Sequence, residues 1–155
     1  MMQANRTDTV LEAVGVGKQV SSPEGMLAIL ADVSLAIARG ETVAVMGASG
    51  AGKSTLLAVL AGLDEPTSGT VHLADREITA LDEDGRAAVR ARHVGFVFQS
   101  FHLVPRLTAL ENVALPLLFA GVAGKQRLYR AEQLWRPVGL ESRKDPRPPE
   151  LSGGE

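Results

Sequence analysis

The clearest chemistry lies in one stretch near the middle of the chain. Residues 47–55 read Gly-Ala-Ser-Gly-Ala-Gly-Lys-Ser-Thr and fit G-x-x-x-x-G-K-[ST], with Gly47, Gly52, Lys53 and Ser54 at the defining positions. Glycines let the backbone curl without Cβ clashes, so that successive N–H groups point inward at phosphate oxygens. Lys53 can then bring positive charge to the β- and γ-phosphates of a nucleotide, and the Ser54 hydroxyl can take a place on Mg²⁺. A helix starting near Lys53 aims its positive end at the same phosphates. Gly47, Ala48, Ser49, Gly50, Ala51, Gly52, Lys53, Ser54 and Thr55 are therefore the candidate binding residues, Lys53 is the catalytic candidate, and Ser54 is a candidate metal ligand.

A glycine-rich turn between two core elements would be the structural alternative, and the flanks decide against it. Residues 42–46 (Thr-Val-Ala-Val-Met) are an apolar, partly β-branched run of strand length, as expected of a strand buried on both faces. Residues 53–61 read as a mostly apolar helix, with Gly62 as its C-terminal stop. Strand, glycine loop and helix in that order are what the motif requires. A second glycine pattern, Gly15-Val16-Gly17, fails as a dinucleotide fingerprint, because its third glycine would fall at Val20 and no helical pattern follows.

At 155 residues the chain suits one domain with a fair core. A net charge of −2 gives no electrostatic case for nucleic acid or an anionic membrane as the main partner. No cysteine is present, which excludes disulfides and thiol chemistry and agrees with a cytoplasmic setting. The longest uncharged stretch, 112–124, contains Pro116 and falls short of the ~20 residues a spanning helix needs. No direct membrane insertion is expected; a role at a membrane would pass through another chain.

The remaining elements follow in order. Residues 10–16 are a first strand and 21–25 a turn. From Val33 to Ala38 the apolar size alternates, with Val33, Leu35 and Ile37 on one face, as in a half-buried antiparallel strand. Residues 64–69 are turn chemistry and 70–74 another strand. Residues 82–92 form a helix with acids first and arginines later, and Asp82 and Arg86 stand at i,i+4. Residues 94–98 (Val-Gly-Phe-Val-Phe) are expected as a second buried strand, with Gln99 at its carboxyl end, where open α/β sheets place ligands. Thr108-Ala-Leu-Glu111 is a capping box opening a helix to about Ala120, with Leu110, Val113, Leu117 and Gly121 on one face. A further helix runs from about Lys125 to Arg136 and stops at Pro137; residues 141–149 are an extended proline-rich connector. His72, His93 and His102 show no metal-ligand spacing and read as solvated or packing residues.

The loop at 47–55, Gln99 after a strand, and Leu-Ser-Gly-Gly at 151–154 form an ordered set that resembles the nucleotide-binding subunit of an ATP-binding-cassette (ABC) transporter, from about residue 10 to the last residue. Residues 94–117 are similar to the subgroup that powers lipoprotein release and macrolide-type export. The resemblance implies an α/β fold with a phosphate-loop NTPase core, an antiparallel β flap and a helical insert, incomplete at its C-terminus. Residues 1–98 would be the partial core, and 99–155 the glutamine-loop and helical subdomain. It further implies that 47–55 cradle the phosphates of ATP, that Ser54 and Gln99 share Mg²⁺, and that Ser152, Gly153 and Gly154 face ATP held by a second copy in a head-to-tail dimer. A transmembrane permease is the implied partner, which would place the protein on the cytoplasmic face of the membrane.

Three departures from the family pattern carry expectations. Val20 stands where an aromatic usually stacks on adenine, and Glu155 stands where the signature usually has Gln. The second Mg²⁺-binding acid, the catalytic Glu and the switch His of the family come later than residue 155. The sequence therefore reads as an N-terminal fragment, expected to bind ATP poorly, hydrolyse it negligibly and aggregate. Two other readings stand beside the transporter ATPase: a phosphate-loop kinase of a small metabolite, and a non-catalytic nucleotide-binding module.

Overall fold

The computed structural model describes residues 8–23 and 25–154. The chain divides between Phe96 and Val97 into two units. In the first, β1 (Thr9–Ser22) and β2 (Gly25–Ala38) form a long antiparallel hairpin. Its tip is the turn expected at 21–25, of which Glu24 lies outside the described residues. β3 (Ser68–Leu73) pairs with the other edge of β1, and β4 (Arg76–Glu77) pairs with β3. The sheet order is β2-β1-β3-β4, antiparallel throughout, as expected of the flap.

One face of this sheet forms the core. Ala13, Val16, Leu30, Val71 and Leu73 are buried with Leu56, Val59 and Leu60 of helix α1 (Lys53–Leu60). Ile78, from the short 3-10 turn Ile78–Ala80, and Val89, from helix α2 (Glu83–His93), complete the cluster. Removing these apolar side chains from water is the main drive for closing helices onto the sheet. Ala13 and Val16 share the inner face although they are three apart, an odd spacing for a strand of period two. A β-bulge explains it: the β1–β3 pairing jumps from Val14↔Thr70 to Gly17↔Ser68, leaving Gly15 and Val16 opposite Gly69. This is the structural use of the glycine pattern at 15–17.

The two buried strands expected at 42–46 and 94–98 are not formed. Both segments lie outside any ladder among the described residues, and they are largely exposed, with Val43 at 47%, Met46 at 89% and Val97 at 98%. Val45 and Val94 pack against the core. A doubly buried strand needs a hydrogen-bonded neighbour and cover on both faces. No described strand pairs with either segment, so apolar composition alone did not produce one.

Charged side chains staple the turns of this unit. Lys18 Nζ donates to Asp64 Oδ1 at 2.7 Å and to the Glu65 carbonyl at 2.6 Å, tying β1 to the turn after α1. The lysine hydrogen bond holds the Asp64 carboxyl below the ordinary aspartate range. A depressed carboxylate stabilises the fold at pH above its unfolded value, and that contribution disappears as pH falls through the folded one. Because Asp64 is part-exposed, D64N is expected to cost about 1 kcal/mol or less at neutral pH. The difference from the parent in urea midpoint should vanish in acid.

The i,i+4 pair expected between Asp82 and Arg86 is replaced by other partners. Asp82 caps α2, accepting from Gly85 N at 2.9 Å, because a helix N-terminus offers unpaired N–H groups close at hand. Arg86 pairs instead with Glu83 and Glu65, and Arg90 bridges Glu83 and the Gly62 carbonyl.

The second unit is helical. α3 (Ala109–Phe119) opens with the expected capping box: Glu111 N donates to Thr108 Oγ1 at 3.2 Å and Thr108 N to Glu111 Oε2 at 2.8 Å. Its buried residues are Ala109 and Ala114, whereas Val113 of the expected face is exposed. α4 (Gly124–Gln133) ends before Leu134, and Pro137 lies inside a separate short helix, α5 (Trp135–Val138), rather than stopping α4. Proline is tolerated there because an N–H in a helix's first turn has no intrahelical acceptor to lose. The connector at 141–149 is not extended: it holds 3-10 turns at Glu141–Arg143 and Pro148–Glu150. Hydrogen bonds from Ala109 N to the Pro146 carbonyl and from Leu110 N to the Lys144 carbonyl fasten this connector to the start of α3.

Candidate functional site

Residues 47–52 leave the extended lead-in and turn sharply into α1. Gly50 and Gly52 both take left-handed backbone, at φ 79° and 80°, and Gly52 is the residue capping α1. A Cβ on Gly52 would lie 2.7 Å from the Ile29 carbonyl oxygen and 3.1 Å from Leu30, so β2 passes too close for any side chain. The glycine at this motif position therefore serves packing as well as curvature. The first intrahelical bond runs from Leu56 N to the Gly52 carbonyl at 2.8 Å. No side chain caps the N–H groups ahead of it, in contrast to Asp82 at α2 and Thr108 at α3.

Lys53 folds back over the loop, its Nζ donating to the carbonyls of Gly47 at 2.9 Å and Ala48 at 2.6 Å. Its ammonium thus sits at the loop's entrance, beside the start of a helix whose dipole is positive there. Ser54 is exposed on the first turn, while Leu56, Val59 and Leu60 anchor α1 in the core below. The anchoring residues and the candidate phosphate ligands occupy opposite ends of one short helix.

Gln99 and 152–154 belong to the second unit. Gln99 is exposed in the turn that follows 94–98. Within this unit Gly153 lies near Phe101, since a Cβ on Gly153 would be 3.8 Å from the Phe101 ring. Gly154 borders a cleft of about 530 Å³ with Val113, Leu134, Trp135, Val138 and Leu140. Residues 152–154 are not helical, and Glu155 lies outside the described residues. Sequence reasoning missed the residues that shape the bend beside Gln99. Phe101 and His102 adopt left-handed backbone in succession; histidine visits that region more often than most residues, but phenylalanine carries no such signal.

Among the described residues no group of three His, Cys, Asp or Glu is placed to hold a metal ion, and no helix is long and apolar enough to cross a membrane.

A glycine loop closing on the N-terminus of a core-anchored helix, with a lysine folded over it, is the unit of the phosphate-loop nucleotide-binding proteins. Comparison with known proteins narrows the class. Residues 30–155 match the profile of the family described as ABC transporter. Over 148 residues the chain is 49% identical to the uncharacterized ABC transporter ATP-binding protein YbbA of Escherichia coli (strain K12), covering 96% of this chain and 65% of that protein. It is 46% identical over 146 residues to the macrolide export ATP-binding/permease protein MacB of Salmonella choleraesuis, covering 94% of this chain and 22% of MacB. Among solved structures, the dimeric post-hydrolysis state of the ATP-binding cassette MJ0796 bound to ADP and Pi superposes with a TM-score of 0.86 at 40% identity, covering 93% of this chain and 64% of that one. The chain belongs to the ABC transporter family, among its ATP-binding domains. It spans just under two thirds of YbbA. The small-molecule kinase reading finds no support among these relatives.

Proposed function

We propose that this chain is the nucleotide-binding part of an ABC transporter in which ATP binding and hydrolysis drive transport through a permease. The observation that carries the reading is the loop at 47–55, where a side-chain-free helix N-terminus, left-handed glycines and the Lys53 ammonium converge. In this reading the N–H groups of 47–55 hold the polyphosphate of ATP, and Lys53 neutralises charge on its β- and γ-phosphates. The chemistry of the donors suits Mg²⁺, a hard cation that takes oxygen ligands: the Ser54 hydroxyl and the Gln99 amide oxygen would hold it. Bound Mg²⁺ would withdraw charge from the phosphate oxygens. Ser152, Gly153 and Gly154 are assigned to ATP bound by a second copy, in keeping with the dimeric form of MJ0796. The fusion of ATP-binding and permease parts in MacB supports a permease partner, and with it a cytoplasmic, membrane-peripheral location.

A titration of the ¹⁵N-labelled chain with Mg-ATP tests the reading even when affinity is weak. The amides of residues 50–55 are expected to shift first and furthest, and inorganic triphosphate should reproduce most of the effect. Shifts that bypass this loop would refute the proposal.

A further inference from the structure

The bend beside Gln99 holds two successive non-glycine residues in left-handed backbone. Phe101 and His102 lie in succession at φ 54° and 55°. That region is disfavoured for any residue carrying a Cβ, and such backbone persists only where its surroundings hold it. Burial does not hold it here, because residues 95–106 are all exposed. Three contacts converge on His102 instead. Its ring stacks on Phe98 with centroids 4.6 Å apart and planes 15° from parallel. Its Nε2 lies 2.7 Å from Ser100 Oγ. Its backbone N–H donates to the Ser100 carbonyl at 2.5 Å. Phe98 and Ser100 are the two chain neighbours of Gln99, so His102 contacts the residue on each side of it, through the ring of Phe98 and through the hydroxyl and carbonyl of Ser100.

We infer that His102 is a positioning residue for Gln99: its ring, clasped between the face of Phe98 and the hydroxyl of Ser100, fixes the backbone from which the Gln99 side chain projects. This rests on the assignment of Gln99 to the Mg²⁺-nucleotide site made above. Without the clasp the bend relaxes toward ordinary backbone, and the Gln99 side chain projects from a mobile base. A ligand that needs one minor conformer binds more weakly by the fraction of time that conformer is present.

The test uses the 155-residue chain with H102A, S100A, H102N and, separately, Q99A. Asparagine tolerates left-handed backbone and keeps a side-chain hydrogen-bonding group, so it serves as the conservative variant. Nuclear magnetic resonance should show the His102 ring protons shifted by the Phe98 ring in the parent, with that signature lost in F98L. H102A should loosen the Gln99 amide on the fast timescale and weaken Mg-ATP binding about tenfold. Binding of Mg²⁺-free ATP should stay unchanged, and H102N, which keeps a hydrogen-bonding group but cannot stack on Phe98, should recover part of the loss. A Gln99 amide as rigid in H102A as in the parent overturns the inference. So does an equal loss of affinity with and without Mg²⁺, which is what general damage to the fold produces. If Q99A leaves the Mg²⁺-dependent affinity untouched while H102A still loosens the bend, the assignment of Gln99 fails and the clasp stands as a structural device only.

Discussion

Replacing Lys53 with alanine is expected to weaken nucleoside triphosphate binding by about 10- to 100-fold relative to the unaltered chain, the range set by a charge-assisted hydrogen bond. The fold should survive. Lys53 opens α1, but the helix is anchored by Leu56, Val59 and Leu60, and the lysine's own hydrogen bonds go to exposed carbonyls of the loop. Loss of an ammonium from two carbonyls that water can reach leaves no buried group unsatisfied. K53R separates charge from shape: it keeps the positive charge but replaces a compact ammonium by a planar fork too broad for a loop wound on main-chain amides. It should therefore bind more weakly than the parent and better than alanine. Titration calorimetry or loop-amide shifts would measure affinity, and urea unfolding would confirm unchanged stability. Equal affinity for K53A and the parent would remove Lys53 from the phosphate site.

The parts of this molecule that were legible in the sequence are those whose cause is local. Thr108 announces α3, because a capping box is a contact between residues three apart, and the run from acids to arginines marks α2, although the capping role of Asp82 was not read. The loop at 47–55 is legible for the same reason: glycine position, lysine reach and helix start all fall within nine consecutive residues. What failed depends on partners distant in the chain. The apolar runs at 42–46 and 94–98 have strand composition, but a ladder is a property of two segments, and neither has a described partner. Arg86 pairs with Glu83 on its own helix and with Glu65 in the turn after α1, and the second of these partners is distant in the chain. Within the candidate site, Gln99 was named from its place after the apolar run 94–98 and its metal role by resemblance, whereas the clasp around it depends on a backbone twist that serine and phenylalanine do not encode.

Gly69 shows how strongly such a non-local requirement can act. It sits opposite Gly15 and Val16 at the β1–β3 bulge, with φ 83°. A Cβ at Gly69 would lie 2.4 Å from both the carbonyl carbon and the carbonyl oxygen of Gly15, and 2.5 Å from the Val14 oxygen. These are backbone atoms of the central strand, so the clash cannot be relieved by turning a side chain. G69A must also hold an L residue in the left-handed region, which alone costs about 1–2 kcal/mol. Relief requires β3 to move away from β1, which exposes the contacts of Val71 and Leu73, both buried on that strand. The expected loss is about 3–5 kcal/mol, at the extreme of single substitutions and a large share of a small domain's stability. G40A provides the comparison. Gly40 has a similar φ of 75°, but nothing lies within 4 Å of the added Cβ. Its cost should stay near the backbone penalty of about 1–2 kcal/mol. Urea midpoints for the two variants isolate the steric part of the difference. If G69A is no less stable than G40A, the two strands do not meet as closely as the bulge requires. The inward placement of Ala13 and Val16, which builds the floor under α1 and its loop, would then need another cause.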